Sequence, residues 1–245
     1  MDFVENILEY YDELFPVEAT QKVFYEKLIK SFDVEPKMLS IGCGTGVFEY
    51  YLARQKWNVT GIETNTGLLE SATRKGRQAG IVIRFFEMTS LEMSQFLGKK
   101  FYNVISCINN RISWVSDSTL AKKFFADCVH LLASGGHLIL QLPNYYKYTK
   151  EAVMELPVTE SIRSKLHTKI FNEDGKTILL QQVETSNGNL VTIIDNKEVL
   201  PLTMKELENL GKDNGFKNIE FYSDFSETAF DKETSPFLVC KMTLK

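Results

Sequence analysis

The densest run of residues able to do chemistry is Ile41-Gly42-Cys43-Gly44-Thr45-Gly46. Alternating glycines between an apolar run and a helical stretch let the backbone approach a ligand closely. The N-terminus of the following helix then offers free N–H groups to an anionic group. A turn of this kind also serves as a tight strand-to-helix connection with no ligand. Two residues narrow the choice. A dinucleotide fingerprint calls for glycine at position 47, where this chain has Val47, so the spacing is G-x-G-x-G. Glu63 closes the next apolar run, Thr60-Gly61-Ile62-Glu63, at a place where a carboxylate can accept both hydroxyls of a ribose. A solvated strand-end carboxylate is the plainer reading of Glu63, but its position one strand–helix unit after the glycines favours ribose binding.

These residues need a scaffold, and the hydrophobic pattern describes one. Val17 to Phe32 reads as a helix with Val23, Phe24, Leu28 and Phe32 on one face, ended by Glu35-Pro36. Strands are predicted at Met38–Ile41, Asn58–Ile62, Ile81–Phe86, Asn103–Cys107 and His137–Leu142. Helices are predicted at Val47–Gln55, Asn65–Ala79 and Ser118–Leu132, and Ser134-Gly135-Gly136 reads as a turn into the fifth strand. Such alternation argues for a parallel sheet wrapped on both faces. After Pro143 the pattern changes. Residues 159–199 hold three β-leaning runs separated by Glu173-Asp174-Gly175 and Ser186-Asn187-Gly188-Asn189, both hairpin signals. A helix from Thr203 to Asn214, with a capping box between Thr203 and Glu206, precedes strands Lys217–Tyr222 and Phe237–Leu244. The expected architecture is α/β: a seven-stranded Rossmann-like, mostly parallel sheet with an antiparallel last strand and an inserted antiparallel β layer. It forms a single domain over residues 1–245, with a helical cap over 1–35 and the inserted layer over 150–200 covering the active site.

Bulk properties bound the partners. At 245 residues, 44% hydrophobic and 24% charged, the composition is that of a soluble globular chain. A net charge of −4, with no basic run beyond Lys99-Lys100 or Lys122-Lys123, argues against nucleic acid as a partner. Asp2, Glu5 and Glu9 stand where a signal peptide needs a basic start, and nothing approaches the roughly 18 apolar residues of a membrane span. The cytoplasm is the expected compartment, with no membrane partner; homo-oligomerisation stays open. Cys43, Cys107, Cys128 and Cys240 are scattered without a CxxC pair, so neither a disulfide framework nor a metal site is expected. Of three histidines, structural roles are expected for His130 and His137, and His167 is a candidate for the acceptor pocket.

The glycine run and Glu63 resemble motif I and the acidic post-I position of class I S-adenosylmethionine-dependent methyltransferases. Leu131-Leu132-Ala133-Ser134-Gly135-Gly136 is similar to the lead into that family's fifth strand, with Ser134 in place of proline. The resemblance covers essentially the whole chain and implies S-adenosyl-L-methionine as cofactor. It places Gly42, Cys43, Gly44, Thr45 and Gly46 on the cofactor, with Glu63 and Thr64 at its ribose and Glu87 and Met88 at its adenine. Ser40 departs from the pattern, since many members carry an acid there to reach the cofactor's amino end.

A narrower resemblance is to the glycine N-methyltransferase-like group. It rests on Tyr102 to Asn110, on the Asn144-Tyr145 pair and on the inserted layer. It implies that Asn110, Asn144 and Tyr145 orient the acceptor and that Ile108 and Trp114 join the cofactor pocket. Glycine itself is a poor acceptor candidate, because Pro143 replaces the carboxylate-clamping arginine of that group. Tyr10-Tyr11-Asp12 resembles a segment that folds over the cofactor. Tyr11 has two readings, an aromatic face near a sulfonium or simple packing of the helix on the sheet. Gln21 is assigned to the cofactor carboxylate.

The function implied is methyl transfer to a small molecule, at nitrogen, since no residue stands out as a general base. Two alternatives remain: a methyltransferase-fold binding or regulatory module without turnover, and a nicotinamide-dependent oxidoreductase.

Overall fold

The structure is a computed structural model that describes residues 8–115, 117–148 and 153–245. Asp2, Glu5 and the start of the expected 150–200 layer lie outside the described residues.

Along the chain come helix α1 (Tyr11–Leu14), α2 (Ala19–Ile29), strand β1 (Lys37–Ile41), α3 (Val47–Arg54), β2 (Asn58–Glu63), α4 (Thr66–Ala79), β3 (Arg84–Glu87), α5 (Met93–Phe96) and β4 (Tyr102–Cys107). A single 3-10 turn (Arg111–Trp114) leads to α6 (Ser118–Leu131), β5 (Leu132–Pro143) and α7 (Tyr145–Tyr148). Then follow β6 (Val153–Glu155), β7 (Thr159–Glu160), β8 (Ser164–Glu173), β9 (Lys176–Thr185), β10 (Leu190–Val199), α8 (Met204–Asp213), β11 (Phe216–Tyr222) and β12 (Phe237–Leu244).

Seven strands form one sheet in the order β11-β12-β5-β4-β1-β2-β3. The pairs β1–β2, β1–β4, β2–β3 and β4–β5 are parallel, and β12 runs antiparallel to both its neighbours. The strand order reverses beside β1, where β2 lies on one side and β4 on the other. In open α/β sheets ligands bind outside the carboxyl ends of strands at such a switch point. The glycine run leaves the carboxyl end of β1, so topology and motif mark the same place.

The inserted layer is a second, antiparallel sheet in the order β10-β9-β8-β6, with β7 paired to β8. Asp174 and Gly175, at φ 49° and 78°, close the β8–β9 hairpin, a backbone that Asp tolerates and Gly favours. One hydrophobic cluster joins Leu39, Ile105 and Leu140 of the main sheet to Met154, Ile170, Leu179 and Ile194 of the second. A smaller one joins Tyr11 and Leu14 to Leu68, Leu166, Val183 and Ile193. The second sheet and α1 are thereby packed onto the same end of the main sheet.

Several boundaries differ from the sequence-based expectation. Helix α2 is shorter at both ends than Val17–Phe32. Strand β3 starts at Arg84 rather than Ile81, because Gly80 takes a left-handed C-cap conformation and Ile81 N bonds back to Gly76 O at 3.2 Å. Strand β5 begins at Leu132, and Ser134-Gly135-Gly136 forms an irregularity inside it rather than a separate turn, with the β4 register shifting between Tyr102 and Val104. The Thr203–Glu206 capping box is present as expected.

Candidate active site

The glycine turn is shaped by backbone needs. Gly42, Gly44 and Gly46 have φ of 74°, 56° and 75°, which side-chain-bearing residues rarely adopt. The amides of Gly42 and Cys43 both donate to Ile62 O, at 2.8 and 3.1 Å, fixing the turn to the end of β2. Space excludes larger residues too. A Cβ on Gly44 would stand 2.3 Å from Tyr11 Oη, and one on Gly42 would stand 2.8 Å from Arg111 Cγ.

Glu63 is the hub of the site. Its carboxylate, 4% exposed, accepts from Gly44 N at 3.0 Å, Thr64 N at 2.8 Å and Asn65 N at 3.1 Å. It therefore ties the glycine turn to the start of α4, whose Asn65 side chain caps Leu68 N.

Two cavities meet here. The larger, about 490 Å³, is lined by Tyr11, Gln21, Ile108, Asn110, Gln141 and residues of the second sheet, including Leu166, Thr168, Leu179, Gln181, Ile193 and Ile194. The smaller, about 260 Å³, is lined by Gly42, Ile62, Met88, Leu91, Val115 and Lys197. Glu63, Thr64, Arg111 and Trp114 line both.

Asn109 and Asn110 both adopt left-handed backbone angles, φ 56° and 61°. The bend is held by Asn109 N donating to Gln141 Oε1 at 2.7 Å and Asn110 N donating to Gln141 O at 2.9 Å. Consecutive non-glycine residues in this region are strained, and such strain is commonly stored at functional sites. Tyr145 Oη donates to Asn110 Oδ1 at 3.1 Å, which orients the carboxamide. Burial pushes the Tyr145 hydroxyl up to about 12, so it stays a donor.

The sequence-selected residues separate into groups. Gly42, Glu63, Thr64, Met88, Ile108, Asn110, Trp114, Tyr11 and Gln21 line the cavities. Cys43, Gly44, Thr45 and Gly46 lie under or beside the turn. Cys43 is a buried thiol whose pKa burial raises well above the usual range, and Thr45 Oγ1 donates to Asp12. Glu87 is exposed and lines neither cavity. Tyr145 is buried behind Asn110. Asn144 Nδ2 donates to Lys232 O and Ser235 O, both at 2.9 Å, which holds the loop before β12. His167 lines neither cavity and meets Glu184 at 2.9 Å, because Leu166 and Thr168 take the inward-facing positions of β8 on either side of it.

Arg111 was not singled out by the sequence motifs, which name Asn110 before it and Trp114 after it. Its Nη2 donates to Tyr11 Oη at 3.3 Å, and its guanidinium carbon lies 4.5 Å from the Trp114 ring centroid. Burial works against its charge, but Tyr11 and Glu63 facing it hold the proton more firmly than usual. Burial also lifts the Tyr11 hydroxyl to about 12, against the opposing pull of Arg111.

Ser40, where an acid was expected, donates to Glu49 Oε1 from α3 at 2.5 Å. A carboxylate thus reaches the carboxyl end of β1 from the helix instead of from the strand. All four cysteines are unpaired and buried, and no cluster of metal-ligating side chains occurs among the described residues. No helix among the described residues is long and apolar enough to cross a membrane.

Comparison with known proteins agrees with this geometry. Residues 38–136, from β1 into β5, match the family described as "Methyltransferase domain". The whole chain is similar in structure to an S-adenosylmethionine-dependent methyltransferase from Clostridium acetobutylicum, with a TM-score of 0.79, 17% identity and 99% of each chain covered. It is also similar to an amino pentose methyltransferase from Micromonospora echinaspora solved with S-adenosylmethionine bound, with a TM-score of 0.61, 16% identity, and 91% of this chain and 89% of that one covered. In sequence it is similar to a ubiquinone biosynthesis O-methyltransferase of Cronobacter sakazakii, 28% identical over 109 residues, which is 44% of this chain and 42% of the relative. A relative from Geobacillus sp. (strain WCH70) carrying a methyltransferase name is 24% identical over 148 residues, 58% of each chain. The chain thus matches less than two thirds of the length of these curated relatives. The fold is that of the class I methyltransferases.

Proposed function

We propose that the protein is an S-adenosylmethionine-dependent methyltransferase acting on a small molecule, at nitrogen. The observation that carries this reading is the placement of Glu63, which is bonded to the glycine turn and stands where the two cavities meet.

The residues present fit the cofactor. Gly42 and Gly44 keep the floor of the site free of side chains, Glu63 suits a ribose, and the apolar Met88 and Leu91 suit an adenine in the smaller cavity. The side chains of Arg111 and Tyr11 cross over Gly42 and Gly44, beside the place the amino-acid portion would take. When bound, S-adenosylmethionine supplies a methyl group activated by a sulfonium. The protein's task is to hold the acceptor in line and exclude water, where orientation alone reaches effective molarities of about 10⁵–10⁸ M.

The larger cavity is the acceptor side in this reading, with the second sheet as its cover and Asn110 as the orienting group. Asn144 and Tyr145 then act as supports rather than contacts. An amine acceptor agrees with the lining, since an amine lone pair attacks without first losing a proton. Among the described residues around this cavity there is no histidine, lysine or cysteine to act as base. Its three carboxylates already accept hydrogen bonds: Glu18 from Thr20 Oγ1 at 3.4 Å, Glu63 from three amides and Asp224 from Ser226 N at 2.8 Å.

The test is turnover with isotopically methyl-labelled cofactor and a panel of small amines and matched alcohols. Labelled amines support the proposal. Labelled alcohols alone would move the target to oxygen. A second reading, a binding module without turnover, draws on Arg111 lying across Gly42. Tight cofactor binding with no labelled product across the panel would favour it.

A further inference from the structure

Arg111 opens the 3-10 turn after Asn110 and lines both cavities. It is the one arginine or lysine among the described residues lining the larger cavity. Its guanidinium lies over the Trp114 ring, 4.5 Å from the centroid, a contact that restrains the side chain before a ligand arrives. Much of its hydrogen-bonding capacity is nonetheless idle. Beyond the 3.3 Å bond to Tyr11 Oη, its Nε is sealed from solvent with no acceptor, and it makes no ion pair among the described residues. Trp114 Nε1, on the same turn, is likewise sealed and without an acceptor. Interiors pair nearly all such donors, and an unpaired one at a cavity wall calls for a partner that is not part of the chain.

We propose that Arg111 binds a carboxylate at the junction of the two cavities, with Trp114 restraining its side chain. A planar fork of N–H donors matches the two oxygens of a carboxylate. In the larger cavity Arg111 alone faces Glu18, Glu63 and Asp224, and a further cation, Lys197, lines the smaller cavity 5.2 Å from the Trp114 ring centroid, a balance that suits a singly charged carboxylate better than a doubly charged phosphate. Two carboxylates can reach this place. One is on the amino-acid tail of the cofactor, which rests on the methyltransferase reading. The other is on a small acceptor in the larger cavity.

The test compares wild type, Arg111→Met and Arg111→Lys by calorimetric titration with S-adenosylhomocysteine and with methylthioadenosine, which lacks the amino-acid tail. Alongside, thermal shifts are measured with acetate and propionate at constant ionic strength against chloride, with and without S-adenosylhomocysteine. If the carboxylate is the cofactor's, Arg111→Met loses about tenfold or more in S-adenosylhomocysteine affinity, about 1.4 kcal/mol, while methylthioadenosine is unaffected. If it is the acceptor's, both adenosyl ligands bind unchanged, and a carboxylate-specific stabilisation of wild type disappears in Arg111→Met. In either case Arg111→Lys retains part of the effect, because it keeps the charge without the fork. The ratio of the two adenosyl ligands is internal to each variant, so partial unfolding does not imitate a carboxylate effect. Equal losses for both adenosyl ligands would make Arg111 a wall residue and overturn the proposal. So would tighter S-adenosylhomocysteine binding by Arg111→Met, or no change in any arm. If wild type binds neither adenosyl ligand, the methyltransferase reading fails, and the acetate arm still decides the role of Arg111.

Discussion

Replacing Glu63 by Gln keeps the side-chain volume and removes the charge. In the structure its carboxylate accepts from Gly44 N, Thr64 N and Asn65 N, at 3.0, 2.8 and 3.1 Å. A carboxamide has one accepting oxygen, so either the glycine turn or the start of α4 then faces an NH₂ group. Hydrogen bonds to charged groups contribute about 1.5–3 kcal/mol each, and a buried donor left unpaired costs about 1–3 kcal/mol. The variant should therefore lose roughly 10- to 150-fold in S-adenosylhomocysteine affinity by calorimetry. It should also melt at lower temperature by circular dichroism, while remaining folded at the titration temperature. Glu63→Ala should lose at least as much affinity. A dissociation constant within about twofold of wild type in both variants would place the ribose elsewhere and break the argument.

Gly44→Ala forces a Cβ to 2.3 Å from Tyr11 Oη at a φ of 56°, so the variant should expel Tyr11 from the turn, seen as new tyrosine solvent exposure, and lose cofactor affinity. Wild-type affinity with Tyr11 still protected would refute the close packing. Tyr145→Phe removes the donor to Asn110 Oδ1. Losing about 1 kcal/mol of positioning should lower kcat about fivefold with unchanged cofactor binding, whereas a loss confined to cofactor affinity would contradict the positioning role. Burial raises the Glu49 carboxyl from 4.5 to about 7 against the hydrogen bond from Ser40. Below the unfolded value Glu49 is protonated in both states. As pH rises through the window between the two values, the unfolded chain ionises first and stability falls, by up to about 3 kcal/mol. Glu49→Gln should gain on wild type over that window in denaturant melts, and a difference independent of pH would refute the assignment.

How much of this was legible in the sequence depends on whether the signal was local. The alternation of apolar runs and helices, the glycine turn and the Thr203–Glu206 box are read within a few residues, and the structure contains all of them. The Asp174-Gly175 hairpin carries its own backbone demand, so the β8–β9 pairing was readable too. The start of β3 was not, because a helix C-cap extending to Ile81 competes with an apolar run that looks like strand. The site was partly legible. Glu63 and Asn110 sit at strand ends, where topology fixes their position. Arg111 and Glu49 depend on side chains from different elements meeting. Nothing near Ser40 in the sequence announces that Glu49 would supply a carboxylate, and nothing near Arg111 announces Tyr11 and Gly42.

The central claim, that Glu63 and the glycine turn form a site for S-adenosylmethionine, is tested most directly by calorimetric titration of the purified protein with S-adenosylhomocysteine and, in parallel, with NAD. The account predicts saturable one-to-one binding of S-adenosylhomocysteine, weakened in Glu63→Gln, and no comparable binding of NAD. Equal or tighter binding of NAD, or S-adenosylhomocysteine binding indifferent to Glu63, would contradict it.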